Sequence, residues 1–194
     1  MADESPWLLI SSRDEGDPAE RFALFRAKVP ANWHCRLPIA DESLRDSTRP
    51  NAELTIGDGR QLLVITVHSF PYEKIDQRIP PAAQVQRWQR QFEQIDCQEM
   101  TITPCARGGF VGLKLEAYGS LKGLPTGVIA WSMQLAAPHY LAIHAREQNL
   151  QRRRQRSSDY TIKAIGPPDT LQHHRLEIEA FAASFEFIEE IPSR

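Results

Sequence analysis

A chain of 194 residues, 41% hydrophobic and 25% charged, is long enough to bury one real core and is ordinary in composition for a globular domain. Its formal net charge of -2 makes nucleic acid an unlikely partner, because dedicated nucleic-acid binders show a basic excess. No apolar run approaches the roughly 20 residues of a membrane span, and 3 cysteines are an odd count, poor material for a disulfide framework.

Residues 1–20 are polar and contain Gly16-Asp17-Pro18, so they are expected to form an N-terminal arm. The acidic opening lacks the basic start and the roughly 7–15 apolar residues of a secretory signal, which makes the cytoplasm the expected compartment and reduced thiols the expected state. Trp7, Leu8, Leu9 and Ile10 interrupt the polar arm. A free apolar tetrad is a liability, so it is expected to dock on the chain's own body, with a partner as the alternative.

Residues 22–29 are predicted as the first strand, closed by Pro30-Ala-Asn-Trp33, with extended chain continuing to Ile39. Residues 40–51 are charged and turn-rich, a surface insertion. Residues 53–56 and 61–68 flank Gly57-Asp58-Gly59-Arg60, the pattern of a hairpin. A helix is predicted over 81–95 after Pro80 and Pro81, because Val85, Trp88, Phe92 and Ile95 fall on one stripe of a polar rod.

Three strands follow at 99–105, 109–118 and 127–135, in antiparallel succession. Val111, Leu113, Leu115 and Ala117 alternate with Phe110, Gly112, Lys114 and Glu116, which assigns the first set to the core side. Residues 140–144 read as a short extended piece and 145–158 as a solvated, arginine-rich surface insertion. Residues 159–166 alternate as a strand with one buried face. Gly166 breaks it, and Pro167 and Pro168 start a last helix with Leu171, Ile178, Phe181, Ala182 and Phe185 inward. Short connections favour antiparallel pairing, and two amphipathic helices need a sheet to cover. The expectation is therefore one α+β domain over 21–194, a twisted antiparallel sheet with helices packed on its faces.

Three places carry a resemblance. They are the opening strand closed by Pro30-Ala-Asn-Trp33, the middle helix between strand groups, and the final strand, Gly166 and helix ending Ser184-Phe185. In this order they resemble the superfamily that includes PsbP of photosystem II, the Ran-binding Mog proteins and bacterial DcrB-type domains. The resemblance covers about residues 20–190 and implies an α/β/α sandwich with protein-binding or assembly roles and no active site. Some leaderless bacterial members resemble chaperones that hold membrane segments of secretion effectors. The insertions at 40–51 and 145–158 depart from those.

No catalytic or metal constellation is legible, and no cofactor is implied. Ser69 and Ser132 lie within strands rather than on a nucleophile elbow. Adjacent His173 and His174 point about 100° apart on a helix and do not chelate together. Glu116 and Asp159 are a carboxylate pair that only folding could unite. Arg152, Arg153, Arg154 and Arg156 are the strongest electrostatic feature, and with Trp7 they are the candidate contacts for a protein partner. The expected function is a non-enzymatic protein-binding module, an adaptor or chaperone. The alternatives are a small-ligand or enzymatic domain and a structural homodimer assembled through residues 1–20.

Overall fold

A computed structural model of the protein describes residues 6–12, 22–39 and 48–190. Among them, two antiparallel sheets carry the fold. The smaller sets β1 (Trp7–Ser11) and β11 (Glu186–Phe187) on either side of β2 (Ala23–Lys28). The larger runs β3 (His34–Arg36), β4 (Ala52–Ile56), β5 (Leu63–Pro71), β10 (Ser158–Gly166), β9 (Leu124–Leu135) and β8 (Phe110–Leu121). Two short strands, β6 (Gln94–Ile95) and β7 (Thr101–Arg107), share its far edge by pairing with different parts of β8. The last long strand in the chain thus lies mid-sheet, Ile162 facing Val67 on one side and Trp131 on the other.

Both faces of the large sheet are covered, as in a sandwich. Leu54, Ile65, Ile129, Trp131, Ile162 and Ala164 form its inner face, on which pack the small sheet and two helices, α4 (Pro168–His173) and α5 (Arg175–Ser184). Phe25 of β2 anchors this core: its ring lies 4.8 Å from Phe185, 4.9 Å from Phe187 and 6.0 Å from Tyr160. Aromatic contacts at these separations add to the area each ring removes from water. The outer face carries a smaller cluster in which Val85 and Trp88 of α1 (Pro81–Gln89) sit on Leu115, Ala117, Val128 and Ala130.

Local chemistry explains most of these elements. Leu121 faces Leu124 across a two-residue turn in which Lys122 and Gly123 take φ of 52° and 74°, the paired left-handed conformations whose twist suits a hairpin. The β4–β5 hairpin forms where expected, with Gly57 at φ 73°.

Several expectations are corrected. Residues 140–144 are not extended; they lie in α2 (Ala137–Arg146), started by Pro138 in its first turn, with Tyr140 and Ile143 one turn apart in the large core. The arginine-rich 145–158 segment is not a solvated loop but contains α3 (Leu150–Arg156), whose first turn is capped by Asn149 accepting from the Arg152 N–H. α1 stops at Gln89, so Phe92 and Ile95 reach the small cluster from the turn and β6. Strand β10 is buried on both faces rather than one. Phe110, assigned to the solvent side, is 2% exposed in the large core, while Val111 is 48% exposed. The last helix breaks at His174 into α4 and α5. Extended structure after Trp33 is a strand only over His34–Arg36. The apolar tetrad of the arm docks on its own chain, as β1 against β2; residues 1–5 and 13–20 of the arm and 40–47 of the insertion lie outside the described residues.

Candidate functional site

The outer face is where the fold leaves room. A nine-residue helix is about 13 Å long, whereas the twelve residues of β9 run roughly 40 Å. α1 therefore covers only the Leu115–Ala130 half of this face. Beyond its N-terminus, between the 77–79 segment and the ends of β5, β9 and β10, lies a cleft of about 240 Å³.

Phe70, Ile79, Tyr72 and Met133 give the cleft apolar walls, and Ser132, Thr161 and Gln84 put polar groups into it. A buried ion pair closes one side. Arg78 Nε donates to Asp159 Oδ2 at 2.9 Å, and its Nη2 donates to Oδ1 and to the Leu135 carbonyl, each at 2.7 Å. The Leu135 N–H donates to Oδ1 at 3.0 Å. Both charged side chains are 9% exposed, so neither charge is left without a partner where solvation is lost. Burial pushes the Asp159 carboxyl above its ordinary value even against the pull of Arg78. The Arg78 guanidinium also lies 4.8 Å from the Tyr72 ring centre, which stacks at 5.5 Å on Tyr140 of α2. Burial, reinforced by Asp159, pushes the Tyr72 hydroxyl well up, so it stays protonated.

An uncharged apolar strip adjoins the cleft. The Gln134 side chain donates to the Ile79 carbonyl, and Gln134 faces Val111, which in turn faces Ala106. The same register places Pro104 beside Leu113 and Ile102 beside Leu115. Ile79, Val111 and Ile102 are 48%, 48% and 45% exposed.

The residues singled out from sequence lie elsewhere. On α3, Arg152 pairs with Glu189 at 2.9 Å and stands over the Phe22 ring, Arg156 reaches Glu189 at 3.4 Å and Glu147 at 3.8 Å, and Arg154 reaches Glu73 at 3.8 Å. The chain's own carboxylates thus hold this helix to its surroundings. Arg153 lies near His144, whose imidazole is held below its ordinary pKa first by burial and then by that charge. Trp7 stacks under Arg26 at 4.6 Å and rims a groove between β2 and α5. Glu116 and Asp159 are not united. Glu116 faces Ile129, which faces Ala164, five residues and roughly 17 Å along β10 from Asp159; Glu116 instead binds Arg175 through two hydrogen bonds of 3.1 Å.

Sequence reasoning missed the cleft because Arg78 and Asp159 are 81 residues apart. One signal was available: an aspartate opening a strand of otherwise buried residues requires a cationic partner.

With strands and helices in this order, the chain has a PsbP-like α+β fold. Two solved structures share it. LpqN, involved in cell envelope biogenesis of Mycobacterium tuberculosis, superposes with a TM-score of 0.57 at 13% identity, covering 93% of this chain and 91% of that one. The cyanobacterial PsbP (CyanoP) of Synechocystis sp. PCC 6803 gives 0.51 at 11% identity, covering 94% and 93%. No family model and no curated protein matches the sequence.

Proposed function

We propose that the protein is a non-enzymatic binding module, an adaptor or chaperone that holds an apolar segment of another protein on the outer sheet face. The observation that carries this reading is the uncharged strip of Ile79, Ile102, Pro104, Ala106 and Val111 beside a cleft that α1 is too short to cover. Pro104 removes a donor from the free edge of β7, which favours contact through side chains over addition of a partner strand. The cleft alone is smaller than the roughly 300 Å³ from which small-molecule pockets usually start, which supports an anchoring side chain over a free ligand.

The test is site-specific photo-crosslinking in the native cell. A photo-reactive residue at position 111 should capture a discrete protein through an apolar segment. The same residue at position 176, where Leu176 is 77% exposed on α5, should not. Equal capture from both positions, or capture that survives Ile102→Glu, would sink the assignment.

Homodimerisation is a second reading, favoured by β1 being an edge of its sheet among the described residues, with Trp7 and Leu9 45% and 53% exposed. Light scattering that stays at the monomer mass up to millimolar concentration would remove it. Cytoplasmic residence is supported by the free thiols, two of them exposed. The expected result is that a membrane-impermeant maleimide labels Cys35 and Cys97 only after the cells are permeabilised, and labelling in intact cells would refute cytoplasmic residence.

A further inference from the structure

The cleft is lined by an unusual set of polar groups. Ser132 and Thr161 face each other across β9 and β10, and each is 5% exposed; Gln84 of α1 is 9% exposed. None of the three side chains is hydrogen-bonded to another described residue of the chain. Their polar atoms stay open to the cleft, and a guest that excludes water there must replace those hydrogen bonds or lose free energy. Three such groups converging on one small cavity therefore describe a surface built to receive hydrogen bonds from outside.

The character of the expected guest follows from the lining. The only charged residues there, Arg78 and Asp159, neutralise each other through two hydrogen bonds. A charged guest would be buried without a counter-charge, which is strongly disfavoured. A hydroxyl offers three sites crowded on one atom, whereas the three groups come from separate strands and a helix. A carboxamide offers two donors and an acceptor with two lone pairs, which matches the reciprocal amide of Gln84 and two hydroxyls that act in either sense. Phe70 and Ile79 provide walls for an apolar stem.

We propose that this cleft is a specificity pocket for an uncharged carboxamide side chain, glutamine or asparagine, carried by the partner segment that binds the adjoining strip. This inference rests on the binding function proposed above and assigns the pocket its chemistry. Gln84, Ser132 and Thr161 select the carboxamide, and the apolar strip holds the flanking residues.

The test is a two-dimensional NMR titration of the full-length protein with N-acetylglutaminamide, against N-acetylglutamate amide and N-acetylnorleucinamide. Saturable shifts of the Ser132, Thr161 and Gln84 resonances are expected for the glutamine probe, with at least tenfold weaker binding of the other two. Thr161→Val combined with Ser132→Ala, which changes little volume, should abolish the preference, and Gln84→Leu should do so independently. Equal binding of glutamine and norleucine probes, or an unaltered preference in both variants, would overturn the pocket's assignment. Ile102→Glu separates the two proposals: it should remove partner crosslinking while leaving the glutamine titration as in the parent. Loss of glutamine selectivity in Ile102→Glu would refute the pocket as a distinct element, and partner crosslinking undiminished in the pocket variants would refute its part in partner selection.

Discussion

The two faces of the large sheet solve the same problem unequally. The inner face is closed by a second sheet, two helices and an aromatic cluster centred on Phe25. The outer face has one nine-residue helix and six fully buried apolar residues. The difference teaches that stability and accessibility are divided between faces: the closed side holds the fold, and the short helix leaves the other side open. Each face also carries one carboxylate under opposite influences. On the inner side, burial opposes ionisation of Glu116, but Arg175, Lys114 and the Tyr118 hydroxyl outweigh it and hold the carboxyl below its ordinary value. On the outer side, burial wins at Asp159 and pushes it up.

The largest effects should come from breaking the closed face. Phe25→Ala is expected to cost about 4 kcal/mol in urea unfolding, since a fully buried ring leaves a cavity lined by four aromatics. Trp88→Ala on the outer face should cost about 3 kcal/mol, because the indole is 4% exposed but packs in the smaller cluster. If Trp88 proves the costlier of the two, the ranking of the faces is wrong. Arg78→Ala should cost roughly 3 kcal/mol by stranding a buried carboxylate, and Arg78→Ala with Asp159→Asn together should recover part of that loss.

The pH dependence sharpens the contrast. A depressed carboxyl stabilises the fold above its unfolded value, so the contribution of Glu116 should disappear as pH falls below about 4.5 through its folded value. Asp159 has the opposite sign: its raised value makes the fold less stable as pH climbs from about 3.8 through the folded value. Urea midpoints between pH 2.5 and 6 should therefore show a shallower acid limb in Glu116→Gln and a steeper one in Asp159→Asn; equal slopes would remove the electrostatic distinction. The smallest effect belongs to α3. Arg152→Ala should cost less than about 1 kcal/mol, since the pair it makes with Glu189 is half exposed on both sides. Changing Arg152, Arg153, Arg154 and Arg156 together to Ser should leave crosslinking from position 111 unchanged if the outer face is the binding face.

Much of the fold was legible where the signal is local. The β4–β5 hairpin has its glycines between alternating strands, and the succession of β7, β8 and β9 follows from short connections. What was misjudged depends on distant chain. Residues 140–144 resemble a strand by composition, but the Tyr140 ring finds Tyr72 and its hydroxyl donates to the Glu73 carbonyl, contacts that only a helix starting at Pro138 positions. The arginines of α3 look solvated in sequence because two of their partners, Glu73 and Glu189, come from distant parts of the chain. The cleft was illegible for the same reason: β5, β9, β10 and the 77–79 segment meet there only after the sheet is assembled.

The central position of β10 also has a consequence for synthesis. Until residues 158–166 leave the ribosome, β5 and β9 each present an unpaired hydrogen-bonding edge, and the sheet exists as two separate halves. β2 waits longer still, for Glu186 and Phe187 to complete its second side. A topology with such distant pairings folds slowly and late, and until then its unpaired strand edges are open to wrong pairing.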